Sequence, residues 1–304
     1  MKLQRLPLVL NRLALLLPLA AMAEDSVGIP PVTVEARPES QELVGPYQQP
    51  RWSARGRFSG DTDVYVLPPG EFFVDADYRA TIPKHGRTAH LFTQEFEAGL
   101  PHRTQLAYEN NVEIKDGHSQ VTEQTFEARY ALADWGKIPL NPTLFAEYKL
   151  GVGKDFGAQE NPGDPIPGIP DAFEIRILLG EQLTPRLQWA LNLFHEQQTG
   201  GEREWETGFS QAFSYSLLDE DLKVGMEMQF IRETEFDSRW DPEYQFNIGP
   251  SFTWKPSRRS RLDVAALFGT TEDSPSAKIF AVFSYAFGET KESEVETPVS
   301  GRRR

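Results

Sequence analysis

Glu71-Phe72-Phe73-Val74-Asp75-Ala76-Asp77-Tyr78-Arg79-Ala80 places Phe72, Val74, Ala76, Tyr78 and Ala80 on one face of an extended chain, and Glu71, Asp75, Asp77 and Arg79 on the other. A period of two marks a strand whose two faces meet different surroundings. The same code recurs as far as Phe287. Leu144, Ala146, Tyr148, Leu150 and Val152 oppose Phe145, Glu147 and Lys149, and Phe173, Ile175, Ile177 and Leu179 oppose Glu174 and Arg176. Leu222, Val224, Met226, Met228 and Phe230 oppose Lys223, Glu227 and Gln229.

Twelve such segments are expected, with cores at 71–81, 89–100, 104–114, 121–132, 142–152, 172–182, 186–196, 204–216, 222–232, 244–255, 261–269 and 278–287. Each is close to the roughly 9–11 residues that a tilted strand needs to cross a bilayer. An even strand number is what single-chain bacterial membrane barrels require. Compact links are expected near Pro101-His102-Arg103, Gly136-Lys137-Ile138, Leu183-Thr184-Pro185, Asp219-Glu220-Asp221 and Ser257-Arg258-Arg259, with the longest loops at 153–171 and 233–243. Short connections at one end and longer ones at the other fit periplasmic turns and extracellular loops. The expected fold is therefore all-β, a transmembrane antiparallel up-and-down barrel of about twelve strands. A soluble sandwich or lipocalin-like barrel, apolar face inward, is the rival.

The chain ends divide the remainder. Lys2, Arg5 and Arg12 precede the apolar run Leu13 to Ala20, which is too short to span a bilayer as a helix and ends in Ala21-Met22-Ala23. Residues 1–23 read as a cleaved signal peptide, which sends the chain to the cell outer membrane. Residues 24–68, rich in proline, read as a periplasmic extension, mostly irregular, whose aromatics Tyr47, Trp52, Phe58 and Tyr65 pack on something, the barrel lumen being one candidate. The barrel takes 69–287, and 288–304 is a polar tail expected to be disordered.

A net charge of −14 argues against nucleic acid as a partner. The chain has no cysteine, which excludes disulfides and thiolate chemistry. Its mean hydropathy of −0.47 looks soluble, but alternate residues of a membrane barrel face lipid and the average misleads.

If the apolar face meets lipid, charges line the lumen. The expected lumen network is Asp75, Asp77, Arg79, Glu127, Arg129, Glu147, Lys149, Glu174, Arg176 and Glu227, with an acidic surplus that favours cations if the lumen is open. The plainer reading is that Glu127/Arg129, Glu147/Lys149 and Glu174/Arg176 pair across strands and fill a narrow interior. Trp135, Trp189, Trp205 and Trp254 read as an interfacial aromatic girdle. No catalytic, cofactor or metal set is expected. No histidine is followed by the Ser-Asn pair of outer-membrane phospholipases, and Asp75/Asp77 alone is weak as a Ca²⁺ or acid–base site.

Three resemblances bear on partners and function. The final strand, with Phe283, Tyr285 and Phe287 at alternate positions, resembles the signal read by the barrel-assembly machinery, except that residues 288–304 follow it. Val32-Thr33-Val34-Glu35-Ala36-Arg37 resembles the energy-coupling box of TonB-dependent receptors, which implies a TonB-like partner, although the chain is too short for their plug and larger barrel. Gly99-Leu100-Pro101-His102-Arg103-Thr104-Gln105-Leu106, Phe126 to Tyr130, and Ile248-Gly249-Pro250-Ser251 resemble the strand–turn phrases of the MetA-pathway of phenol degradation outer-membrane family. That resemblance implies a barrel admitting small, often aromatic or hydrophobic compounds. Passive or facilitated passage of a small solute is thus the expected function, in contact with outer-membrane lipid and lipopolysaccharide. A closed structural or docking barrel is the alternative, and a lipid-modifying enzyme a distant third.

Overall fold

A computed structural model describes residues 43–54, 57–58, 62–115, 117–156, 165–218 and 221–288. The leader, the Val32–Arg37 segment and the tail beyond Gly288 lie outside the described residues. The described residues begin with four two-residue strands, β1 (Leu43–Val44), β2 (Gln49–Pro50), β3 (Arg57–Phe58) and β4 (Thr62–Asp63), and one helical turn, α1 (Arg51–Ala54). Twelve long strands follow: β5 (Phe72–Ile82), β6 (Ala89–Leu100), β7 (Thr104–Lys115), β8 (His118–Ala131), β9 (Thr143–Gly151) and β10 (Ala172–Gln182), then β11 (Leu187–Gln198), β12 (Trp205–Leu218), β13 (Leu222–Thr234), β14 (Glu243–Trp254), β15 (Ser260–Gly269) and β16 (Ala277–Phe287).

Each long strand pairs antiparallel with its sequence neighbours, and β16 pairs with β5 from Phe287↔Phe72 to Ala277↔Ile82. The sheet is a closed barrel of twelve strands without an edge, so its backbone groups are satisfied internally. A bulge in the β7–β8 pairing leaves Thr122 without an opposite number.

Polar side chains point in and apolar ones out. Asp75, Asp77, Glu95, Glu127, Glu174 and Glu227 are buried, whereas Phe72, Phe96, Leu106, Phe126, Ile175, Met226 and Phe283 are exposed. That inversion of a soluble protein's pattern rules out the sandwich or lipocalin-like reading. Chain entry at Phe72 and exit at Phe287 share the end that carries links 101–103, 132–142, 183–186, 219–221 and 255–259. This is called the turn end below, and the other the loop end. The 132–142 link is longer than the compact turn expected around Gly136, and at the loop end only two residues separate β7 from β8. The long loops are 152–171 and 235–242.

The described residues between 43 and 68 form a plug in the turn end of the lumen. Tyr47, Trp52, Phe58, Val64, Tyr65 and Val66 make one apolar cluster with the wall residues Ala131, Ala190 and Ala212, with Trp135 packed against it. The wall is shaped to receive them. Gly180, Ala190 and Ala212 are directly opposed across β10, β11 and β12, a shelf of small inward-facing residues. A Cβ at Gly180 would lie 2.5 Å from Val64 Cγ1, and one at Gly99 would lie 2.0 Å from the Pro68 carbonyl oxygen. Trp135, expected in the membrane girdle, instead meets Trp52 and Tyr65 edge-on at ring-centroid distances of 5.6 and 5.3 Å. It lies in the β8–β9 link, next to the plug rather than on a strand facing lipid.

Polar contacts fix the seating. The Tyr47 hydroxyl donates to Leu100 O (3.0 Å) and accepts from the Arg103 N–H (2.8 Å). The Leu67 N–H donates to Gln105 Oε1 at 2.8 Å, and Trp52 Nε1–H donates to Gln182 Oε1 at 3.3 Å. Burial, followed by the Asp134 carboxylate, raises the Tyr65 phenol above its ordinary value, so it stays a neutral donor to Ala133 O.

Overpacking a tight contact costs about 1–3 kcal/mol. Gly180→Leu is therefore expected to leave the barrel's heat-modifiable gel shift intact while residues 43–68 are cleaved roughly 5- to 100-fold faster by added protease, since cleavage tracks local opening.

Candidate functional site

Strand register lines up seven glutamates. Glu127 opposes Glu147, Glu147 opposes Glu174, and Glu174 opposes Glu196. Glu196 opposes Glu206, Glu206 opposes Glu233, and Glu233 opposes Glu243. All lie on the lumen side of β8 to β14. Such a row runs perpendicular to the strands, and strands in a barrel tilt, so the row climbs as it goes round. It starts four residues from the turn end of β8 and finishes at the loop ends of β13 and β14.

Like charges directly opposed repel. The lower half of the ladder is compensated. Arg129 Nη2 donates to Glu127 at 3.0 Å, and its guanidinium also lies 3.2 Å from Asp63 of the plug and 3.5 Å from Glu97. Lys149 Nζ stands 2.6 Å from Glu196, 3.5 Å from Glu147 and 3.7 Å from Glu174. Arg176 Nη2 donates to Glu174 at 3.0 Å. Among the described residues no ion pair within 4.0 Å engages Glu206, Glu233 or Glu243; Glu206 shares its cavity with Lys149 and Lys278, whose charges act on it, whereas the charged neighbours of Glu233 are the acids Glu206, Glu204, Glu243 and Glu235.

One row closer to the turn end, Arg129, Phe145, Arg176 and Phe194 are directly opposed in alternation across β8 to β11. The Arg176 guanidinium carbon is 4.8 Å from the Phe145 ring centre and 5.9 Å from that of Phe194, and Arg129 is 5.4 Å from Phe145. The rings hold the guanidinium planes by cation–π attraction and keep them beneath the carboxylates. β15 and β16 carry an apolar patch on the lumen side, where Ala265, Leu267 and Phe280 cluster with Val282 buried beside them, between Lys278 and the Arg261–Asp263 pair.

Space remains in the lumen. A cavity of about 310 Å³ lies among Lys149, Arg176, Phe194, Glu196, Glu206 and Lys278, and one of about 130 Å³ among Asp63, Glu109, Glu127, Phe145 and Glu147. Arg79, Lys149 and Arg176 border both.

The expected lumen residues thus fall into three groups. Glu127, Arg129, Glu147, Lys149, Glu174 and Arg176 form the ladder with its counter-charges. Asp77 and Arg79 pair at 2.7 Å on β5, and Asp75 opposes Glu95 beside them. Carboxylate oxygens of Glu95, Glu109 and Glu127 come within 4.8 Å of one another, a donor set suited to a hard cation. Glu227 lies apart, opposite Ala212 on the plug shelf. Phe283 and Phe287 are exposed on the outer face, and Tyr285 packs on Phe287 with ring centres 4.8 Å apart. Glu233 and Glu243 escape the sequence reading because the strand core was ended at Ile231-Arg232. Continuing the alternation from Glu227 through Gln229 and Ile231 puts Glu233 inward. Asp63, in the plug, has no sequence signal.

No family model matches the chain, and no curated protein matches it. Among solved structures, the chain is similar to an outer membrane channel from Pseudomonas putida F1, at 11% identity and a TM-score of 0.52, over 74% of this chain and 98% of that one. The likeness shows the shared barrel fold. The KdgM porin solved with disordered oligogalacturonate aligns at 12% identity and a TM-score of 0.46, over 70% and 99% of the two chains. The NanC porin aligns at 10% identity and 0.46, over 72% and 99%.

Removing one partner of a buried charge network costs roughly 3–5 kcal/mol. Arg129→Met is expected to lower the urea midpoint of detergent-solubilised protein far more than Arg79→Met, because the Arg79 side chain is 25% exposed against 5% for Arg129. Equal shifts would show that Arg129 has no special place in the network.

Proposed function

We propose that the chain is an outer-membrane channel for small solutes that prefers cations, with residues 43–68 closing the turn end of its lumen. The observation that carries this reading is the seven-glutamate ladder, ion-paired with bases below and without a close ion pair above. A ring or track of carboxylates in a low-dielectric wall concentrates cations and repels anions. A lumen built only as filler has no use for a run of glutamates that outnumbers the bases beside it. The apolar patch at β15 and β16 and the rings of Phe145 and Phe194 suit solutes with an apolar portion. The turn phrases that resemble the phenol-degradation family support the same direction.

Location follows from the same reading. The leader 1–23 supports export, the apolar outer face supports contact with lipid and lipopolysaccharide, and Phe283, Tyr285 and Phe287 support delivery by the barrel-assembly machinery. The turn end then faces the periplasm and the upper half of the ladder faces outside.

The plug favours a second state, a barrel closed at rest. Single-channel recording in planar bilayers under a KCl gradient separates the readings. The full chain is expected to give small, cation-selective openings, and deletion of 43–68 to raise conductance several-fold. Glu206→Gln/Glu233→Gln/Glu243→Gln is expected to reduce cation preference with little change in conductance. No current after removal of 43–68, or anion preference, overturns the channel.

A further inference from the structure

The outer face carries a row of three amides the lumen does not explain, whereas the other outward amide in mid-strand among the described residues, Gln211 on β12, stands singly between Phe209 and Phe213. Gln94 on β6 opposes Asn110 on β7, which opposes Gln124 on β8. All three alternate with lumen-facing residues, Thr93 and Glu95, Glu109 and Asn111, and Thr125, so their side chains point outward. Apolar residues bracket them. Phe96, Tyr108 and Phe126 lie on the turn-end side, and Phe92, Val112 and Val121 on the loop-end side. The row therefore sits inside the belt that meets lipid, away from the headgroup region. Among the described residues no hydrogen bond engages any of the three amides.

An amide in hydrocarbon keeps its cost until a donor and an acceptor meet it. Acyl chains supply neither. Each amide both donates and accepts, so a row of amides complements a copy of itself, which a charged row cannot do. A two-fold interface presents the same patch from both sides. Strands of two facing barrels cross, so rows related by a two-fold axis beside Asn110 cross at that residue, with Gln94 and Gln124 flanking within side-chain reach. We propose that the β6–β8 face is a homodimer interface in the membrane, in which Gln94, Asn110 and Gln124 of one copy hydrogen-bond the same residues of a second. The proposal rests on the membrane reading of the outer face and is independent of conduction.

The chain has no cysteine, so single substitutions are clean reporters. Protein in lipopolysaccharide-containing vesicles carries either Val112→Cys, beside the row on β7, or, on the opposite outer wall at β13, Val224→Cys, and is treated with a short bis-maleimide. Val112→Cys is expected to give a crosslinked dimer at least tenfold faster than Val224→Cys. Gln94→Leu/Asn110→Leu/Gln124→Leu suits the surrounding apolar belt and is expected to keep the heat-modifiable gel shift. It is also expected to weaken dimerisation at least tenfold by fluorescence energy transfer between labelled copies in vesicles. Equal crosslinking at the two sites, a monomeric wild type in the vesicles, or dimerisation unchanged by the leucines overturns the proposal. A wild type that is monomeric and holds co-purified lipid at this face would assign the amides to a lipid instead.

Discussion

Backbone amides and carbonyls that meet hydrocarbon have to be paired within the sheet, and the pairing of β16 with β5 completes that requirement here. Closure has consequences at every other level. It leaves no edge strand, so each strand has two neighbours and one register. Register in turn decides which side chains stand opposite one another. The glutamate ladder, the alternating arginine and phenylalanine row, the small-residue shelf and the outer amide row are all products of register, and none is a motif along the chain.

That separation explains what was legible in the amino-acid sequence. Alternation is a local property, and it located all twelve strands and their inner and outer faces, from Phe72 and Asp75 on the first to Phe283 and Ser284 on the last. Opposition between strands is non-local. Nothing near Glu147 announces that Glu127 and Glu174 stand beside it, because the link 132–142 and the loop 152–171 set the offset. The plug was harder still. Tyr47, Trp52 and Tyr65 signal burial, but their receiving surface consists of Gly99, Gly180, Ala190 and Ala212, which read individually as unremarkable small residues. Trp135 was misread for a related reason: a tryptophan at a strand end looks the same whether it anchors in an interface or covers a plug.

Plug and ladder meet at Arg129. Its guanidinium joins Asp63 of the plug to Glu97 on β6 and Glu127 on β8, so the seating of residues 43–68 and the electrostatics of the ladder's lowest step share one counter-charge. Moving the plug away redistributes that charge toward the wall. The state of the turn end and the field in the lumen are therefore coupled through a single side chain. The one ring of Phe145 confines Arg129 and Arg176 to the same level, which keeps the coupling local.

The tilt of the strands turns the ladder into a screw. Its seven steps occupy seven of the twelve staves, so from first to last the row sweeps half the circumference while it climbs. Neighbouring steps are separated by the spacing between strands, about 4.8 Å. That spacing lets one cation bridge two successive carboxylates, which is what the proposed cation preference requires. The staircase is handed, because strand tilt is handed, and only its lower treads carry a railing of ion-paired positive charge.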